Sequence, residues 1–303
     1  MKARLIFFLF FFVLSACTAD VAEEEIATSC PPDCSGGSTG VVTKINSPQD
    51  EGTVYIGDRL AVSASLTDLG EANVEDGLVC ITGLDGSIFS GLGGCTCENF
   101  YITLDEPDDS NFEKTSVSFS PPFISEEAAG KHHITFYTRY SYSSYGPFSL
   151  CLSGDPYNEE ECSVEGNKLT ESSSGPLQIS SVEEEIASVG GNAVTLRLRI
   201  DAEFVGDENA QLVELDETYE QSCFLSNEDQ KTSAEVSLIL FGESYDCGTM
   251  SFDRNEESAS ATCKVENIDT ERFIGGQKEY EGWVRINYGY QEIQSVAFDV
   301  VSE

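Results

Sequence analysis

The clearest pattern in the chain is the seven-residue stretch Val194-Thr195-Leu196-Arg197-Leu198-Arg199-Ile200. Apolar residues occupy every second position, and polar residues occupy the positions between them. Successive side chains of a β-strand point to opposite faces, so this period of two predicts a strand with one buried face and one solvated face. The stretch therefore predicts an antiparallel sheet whose apolar face is covered by a second layer.

Comparable short apolar or alternating runs continue in both directions, separated by Gly, Pro, Asp and Ser, and no run has a convincing helical period. They lie at residues 41–45, 60–65, 77–83, 117–119, 134–142, 148–151, 177–182, 236–241, 261–265, 284–290 and 296–300. A turn is predicted at Tyr145-Gly146-Pro147, and residues 155–174 are polar and loop-like. The spacing predicts an all-β fold with two immunoglobulin-like β-sandwich domains, at residues 41–172 and 173–303.

The N-terminal residues predict export. Lys2 and Arg4 precede the apolar run of residues 5–14, which is too short to span a bilayer but suits a secretory signal. Leu14-Ser15-Ala16-Cys17 resembles the lipobox, at which cleavage leaves a lipid-modified cysteine. We therefore expect a signal peptide at residues 1–16 and a lipid on Cys17 that holds the protein at the extracytoplasmic face of the cell membrane. Ordinary cleavage after Ala19 is the alternative.

Residues 17–40 are expected to form a flexible tether between the lipid and the first domain. They contain Glu23-Glu24-Glu25 and Ser35-Gly36-Gly37-Ser38 and show no hydrophobic period. About 23 residues of such coil have a root-mean-square reach of roughly 25–30 Å. That reach lifts a domain clear of lipid headgroups.

The composition is strongly acidic, with 54 Asp and Glu against 16 Lys and Arg and a formal net charge of −38. The excess is spread over the whole chain rather than held in a tail. Such a surface repels the phosphates of nucleic acids, so no nucleic-acid partner is expected. A saline or divalent-rich habitat is the simplest reason for the charge.

Eleven cysteines are present, and ten remain if Cys17 carries lipid. An even number in an exported chain predicts disulfides rather than a metal site. The candidates are Cys30, Cys34, Cys80, Cys95, Cys97, Cys151, Cys162, Cys223, Cys247 and Cys263. We expect the pairs Cys247–Cys263 and Cys151–Cys162, and we expect Cys80 to pair with Cys95 or Cys97. Cys223 is left as the odd cysteine, which either bridges to the first domain or stays free.

Several segments resemble uncharacterised archaeal cell-surface lipoproteins. They are Gly175-Pro176-Leu177-Gln178-Ile179 leading into Ser181-Val182-Glu183-Glu184, the pair Cys247-Gly248, and Ile286-Asn287-Tyr288-Gly289-Tyr290. The aromatic strand that ends in Cys151 is similar too. The resemblance covers roughly residues 134–303 and implies immunoglobulin-like β-sandwich domains, with no known activity attached.

No catalytic constellation is visible in the sequence. The two histidines, His132 and His133, are adjacent, so in a strand they point to opposite faces and cannot serve one site. For inorganic ligands, the oxygen donors Asp105, Asp108, Asp109 and Asn111 share one loop and form a weak candidate calcium site. Their order matches no EF-hand loop.

Aromatic residues are the remaining candidates for a binding surface. Tyr140 and Tyr142 are in phase with apolar Ile134 and Phe136, which favours burial, whereas Trp283 is out of phase with Val284 and Ile286. The sequence therefore predicts a non-enzymatic surface lipoprotein that binds a protein or glycan partner, or acts as an envelope scaffold. The alternative is an envelope hydrolase that uses clustered carboxylates.

Overall fold

The computed structural model describes residues 40–48, 51–90, 92, 94–104, 113–120, 122–153, 166–190, 193–214, 232–253, 257–269 and 277–302. Within these ranges the fold is all-β, and the only helical element is a single 3-10 turn, Glu126–Ala128. The all-β prediction is confirmed.

Sixteen strands are numbered in chain order. They are β1 (Val41–Ser47), β2 (Gly52–Tyr55), β3 (Val62–Asp68), β4 (Val74–Thr82), β5 (Phe89–Ser90), β6 (Thr96–Ile102), β7 (Lys114–Phe119), β8 (Phe123–Ile124), β9 (Gly130–Ser153), β10 (Leu177–Gly190), β11 (Ala193–Phe204), β12 (Ala210–Val213), β13 (Thr232–Leu240), β14 (Glu243–Phe252), β15 (Ser258–Asp269) and β16 (Gln277–Val301).

The molecule is built around an eight-stranded central sheet. Its order is β14-β13-β16-β9-β4-β6, and β12 and β2 pair with further sections of β16. The strands β9 and β16 are antiparallel neighbours from Gln277–Ser153 to Val300–Gly130, the full length of β9. At about 3.3 Å per residue this two-stranded ribbon is roughly 80 Å long. The central sheet therefore takes strands from both sides of residue 172.

The predicted turn at Tyr145-Gly146-Pro147 is wrong, because β9 continues straight through it. The carbonyl of Pro147 accepts a hydrogen bond from the N–H of Thr170, so the missing N–H of the proline faces away from β16 and costs no bond in that ladder. A Cβ on Gly146 would meet the Cδ1 atoms of Leu169 and Ile179 at 2.7 and 2.9 Å. Residue 146 is thus a glycine because its neighbours pack closely over the strand.

Two three-stranded sheets cover one face of the central sheet. One has the order β1-β3-β7 and the other β10-β11-β15. The N–H of Val41 in β1 and the N–H of Leu177 in β10 both donate to tyrosines of the β9–β16 ribbon, Tyr140 and Tyr288. Both small sheets thus lie on the same side, which we call the inner face. The opposite side is the outer face.

One continuous hydrophobic core fills the space between the layers. The alternating stretch of residues 194–200 lies in β11, and Leu196, Leu198 and Ile200 are fully buried there. Strand β11 is paired on both sides, with β10 and β15. The layered, sandwich-like arrangement follows from this period of two.

Candidate functional site

The outer face carries a group of half-buried aromatic and polar side chains. Alternation along β9 and β16 sends even-numbered residues such as Val284 and Ile286 into the core, where both are fully buried. The odd-numbered residues Trp283, Arg285 and Asn287 point to the outer face and are half-buried. Side chains that are directly opposite in an antiparallel pair share a face, so the register shows which residues meet.

Three rows of residues form what we call the outer patch. Each row runs across β9, β16 and β13. The rows are Pro147–Trp283–Ile239, Tyr145–Arg285–Ser237 and Ser143–Asn287–Glu235. The first row is apolar and the other two are mainly polar. The patch therefore places a planar apolar surface beside a set of hydrogen-bonding groups.

Arg285 is held in one position by neighbours within the patch. Its Nε donates to Oδ1 of Asn287 at 2.8 Å, and one Nη donates to Oγ of Ser143 at 3.5 Å. The Ser143 hydroxyl in turn donates to Oδ1 of Asn287 at 2.7 Å. The guanidinium carbon lies 5.7 Å from the ring centroid of Tyr145, within the range of a cation–π contact. These contacts hold the guanidinium in one position.

The guanidinium of Arg285 has no carboxylate partner among the described residues, although the chain carries 54 acidic residues. Its contacts with Tyr145 and Ser143 place it over the β9 side of β16. The nearby acids Glu235 and Asp246 lie in β13 and β14, on the opposite side of β16. Among the described residues Arg285 therefore forms no ion pair, although Glu235 belongs to the same patch.

A second arginine, Arg139, lies on the outer face farther along β9, and it is fully buried. Its Nε donates to Oε1 of Gln291 at 2.6 Å, and its guanidinium carbon lies 5.7 Å from the ring centroid of Tyr137. Leu78, directly opposite in β4, is also buried. This arginine belongs to a packed structural layer, in contrast with the half-buried Arg285.

Four tyrosines of the ribbon form a cluster on the inner face: Tyr140, Tyr142, Tyr288 and Tyr290. The burial predicted for Tyr140 and Tyr142 is confirmed. The hydroxyl of Tyr142 accepts from the N–H of Ala72 at 3.1 Å, and a Cβ on Gly70 would lie only 1.8 Å from that hydroxyl oxygen. Burial raises the pKa of all four phenols, so they stay protonated. The buried tyrosines connect the central sheet to the two covering sheets and do not offer a ligand surface.

Two buried carboxyls have raised pKa values. Burial raises the pKa of Asp68 to about 6, although its Oδ1 accepts from the N–H of Gly70 at 2.8 Å. Burial raises the pKa of Glu184 to about 7, and its Oε2 accepts from the N–H of Cys151 at 3.1 Å. Asp68 lies beside Tyr142.

The two carboxyls are far apart, because the β9 residues that they contact, Tyr142 and Cys151, are separated by nine positions, or roughly 30 Å of strand. Paired glycosidase carboxyls lie within about 10 Å of each other. Asp68 and Glu184 therefore do not form an acid–base pair of that kind.

Both disulfides whose two cysteines the structure describes agree with the pairs expected from the sequence. Cys247 is bonded to Cys263, and Cys80 is bonded to Cys97 rather than to Cys95. Cys95 and Cys151 are disulfide-bonded as well, and the sulfurs of Cys95 and Cys97 are 3.7 Å apart. The sulfurs of Cys80, Cys95 and Cys97 cluster within 4.8 Å, but as disulfides they are not metal ligands. Outside the described residues lie Cys17, Cys30, Cys34, Cys162 and Cys223.

The weak calcium candidate also falls outside the described residues, which do not include Asp105, Asp108, Asp109 and Asn111. The two histidines point in different directions. The ring of His132 packs against Phe89 and Phe298, whereas His133 is exposed.

Sequence reasoning singled out Trp283 but missed Arg285, Asn287 and Ser143. The signal was present, because residues 283, 285 and 287 share the phase opposite to buried Val284 and Ile286. What the sequence lacks is the register that brings β9 beside β16 and places Ser143 and Tyr145 next to Arg285.

Comparison with known proteins adds no identity. No protein-family model matches the chain, and no curated protein matches it. None of the helical segments in the described ranges has the length and apolar character needed to span a membrane.

Proposed function

We propose that the protein is a lipid-anchored surface protein that binds a partner outside the cell through the outer patch. In this proposal residues 1–16 are removed, Cys17 carries the lipid, and residues 17–40 tether the folded part to the membrane. Two immunoglobulin-like sandwich units, residues 41–172 and 173–303, share the β9–β16 ribbon. The protein belongs with the archaeal cell-surface lipoproteins that the sequence resembles.

The outer patch is the observation that carries this proposal. An aromatic ring, a fixed cation and several amide and hydroxyl groups meet on a rigid sheet, and interfaces are enriched in such Trp, Tyr and Arg residues. A patch supported on both sides by paired strands keeps its geometry, which lowers the entropic cost of binding. Binding, rather than catalysis, is the activity that these residues support.

The anchor is tested by substitution of Cys17. We expect intact-mass analysis of the membrane fraction to show an N-terminal Cys17 that carries lipid. Cys17→Ser should release the protein into the medium. An unlipidated N-terminus at Asp20 would contradict the anchor.

Binding is tested with the released Cys17→Ser protein, labelled and added to intact cells of the source organism. A double substitution, Trp283→Ala with Arg285→Gln, should reduce saturable retention on the cells at least tenfold. Arg197→Gln is the matched control, because Arg197 is an exposed strand arginine paired with Glu185 on a covering sheet. Equal retention of all three proteins would overturn the assignment of the outer patch.

A further inference from the structure

We propose that Cys80, Cys95 and Cys97 form a thiol–disulfide exchange site. When an external thiol opens the disulfide of Cys95, the freed Cys95 replaces Cys97 as the partner of Cys80. The co-reactant is a small thiol in solution or an exposed thiol of another protein. The site uses none of the residues of the outer patch, so this inference does not depend on ligand binding there.

The three sulfurs are within reach of one another. Cys80 and Cys97 are bonded directly across the β4–β6 ladder. Sγ of Cys95 lies 3.7 Å from Sγ of Cys97, and all three sulfurs lie within 4.8 Å of one another. Exchange begins when a thiolate attacks a sulfur of a neighbouring disulfide. A Cys95 thiolate, once released from its own bond, is therefore already beside the Cys80–Cys97 bond.

The three cysteines differ in their access to solvent. Cys95 is exposed, Cys97 is half-buried and Cys80 is fully buried. A thiol in solution therefore reaches the Cys95 bond first. Cys80 and Cys97 pack with Leu78 and Tyr137 in a small cluster that is separate from the main core. Exchange within this cluster leaves the packing of the main core in place.

The exchange keeps the number of disulfides constant. An external thiolate attacks the sulfur bonded to Cys95, forms a mixed disulfide with it and releases Cys95 as a thiolate. The Cys95 thiolate attacks Sγ of Cys80, the Cys80–Cys95 bond forms, and the electron pair of the broken bond leaves on Cys97, which takes up a proton. One external thiol is consumed for each Cys97 thiol that appears. The step needs no oxidant and no further reductant.

Solvation decides which sulfur leaves. A thiolate carries a full charge, and the charge is costly to hold in apolar surroundings without water. Cys97 is half-buried, so water reaches it, whereas Cys80 is fully buried beside Leu78 and Tyr137. Attack on Cys80 with departure of Cys97 is therefore favoured over attack on Cys97 with departure of Cys80.

The Cys247–Cys263 bond is a matched control within the same molecule. Each of the two bonds joins a fully buried cysteine to a half-buried one, and the sequence separations are 17 and 16. Within the described ranges no third sulfur joins Cys247 and Cys263 in a comparable cluster. The two bonds should therefore resist direct attack by a solution thiol to a similar degree, and they differ in the presence of Cys95.

A short exposure to thiol tests the exchange. The oxidised Cys17→Ser protein is treated with a series of glutathione concentrations, quenched in acid, alkylated with N-ethylmaleimide and mapped by tandem mass spectrometry. We expect a new Cys80–Cys95 bond and a label on Cys97, with at least tenfold less label on Cys247. Labels on Cys80 and Cys97 together while Cys95 stays bonded, or a label on Cys247 at the same concentration as on Cys97, overturns the inference.

Cys95→Ser removes the attacking sulfur and leaves the Cys80–Cys97 bond. In the same experiment the label on Cys97 should fall at least tenfold, to the level of the label on Cys247. Circular dichroism establishes that the variant is folded. An undiminished label on Cys97 in the folded variant contradicts the exchange. If the variant does not fold, the comparison of Cys97 with Cys247 in the Cys17→Ser protein decides.

Discussion

The hydroxyl of Tyr140 accepts a hydrogen bond of 3.0 Å from the backbone N–H of Val41. The tyrosine lies in the central ribbon, and the valine begins the first strand of a covering sheet. The contact is buried and joins residues that are 99 positions apart. It ties β1 to the middle of the central sheet.

Tyr140→Phe should lower the free energy of unfolding by about 1–3 kcal/mol. The substitution keeps the ring but leaves a buried N–H without an acceptor, and such a group costs its full desolvation penalty. Urea denaturation followed by circular dichroism measures the change. Tyr137→Phe is the control, because Tyr137 is half-buried on the outer face and its hydroxyl has no hydrogen-bond partner in the described part of the chain. Equal stability of the Tyr140→Phe variant and the parent would show that the bond contributes nothing.

Stability should fall as the pH rises from about 4 to about 7. Asp68 and Glu184 have pKa values raised by burial, to about 6 and about 7, so the folded state holds their protons more tightly than the unfolded state does. Their contribution is complete below the unfolded pKa values and is lost as the pH rises through the folded ones, by up to about 3 kcal/mol each.

Asp68→Asn and Glu184→Gln should each flatten this pH dependence. Neither amide titrates, so the difference in unfolding free energy between pH 4 and pH 7 should shrink by about 3 kcal/mol in either variant. The measurement is urea denaturation at both pH values. Parallel curves for parent and variants would mean that neither carboxyl takes up a proton on folding.

Replacement of the Cys247–Cys263 bridge by alanines should lower the free energy of unfolding by about 3 kcal/mol. The bridge closes a loop with a sequence separation of 16, and it joins β14 of the central sheet to β15 of a covering sheet. Thermal unfolding of the double variant gives the value. An unchanged transition, with two free thiols titrated in the unfolded parent protein, would contradict the bridge.

Cleavage of the chain between residues 172 and 173 should leave neither part able to fold cooperatively. The first part would contain β9 without β16, and the second would contain β16 without β9, so each would expose a long unpaired strand. A mixture of the two parts should recover the circular dichroism of the whole chain. Sharp, independent melting of each part would instead show that residues 41–172 and 173–303 are separate folding units.

The sequence alone predicts where most strands lie, but it does not predict the long pairing of β9 with β16. Alternation located β11 and the burial of Tyr140, because the period of two depends on local contrast between apolar and polar side chains. The same pattern wrongly divided two long strands. It placed a turn at Gly146-Pro147 in β9, and it separated β16 at the polar residues between 290 and 296. The strand continues there because distant partners supply the pairing.

The sequence likewise predicts only part of the candidate site. The phase of Trp283 indicated an outward ring, and the pairs Cys247–Cys263 and Cys80–Cys97 agreed with the expected disulfides. The position of Arg285 over Tyr145 depends on a register between residues 140 positions apart. No local pattern encodes such a register.

The long ribbon also determines how the molecule responds to tension. Trp283 and Tyr290 lie on the same strand, and Tyr290 pairs with Tyr140, whose hydroxyl accepts from the N–H of Val41 in β1. Under the proposed function, a ligand at Trp283 would pull on β16 while the tether pulls on β1. The hydrogen bonds between β16 and β9 would bear this tension in shear. They would then have to break together rather than one after another. In the proposed role, the ribbon would carry the load between the anchor and the ligand without losing its strand pairing.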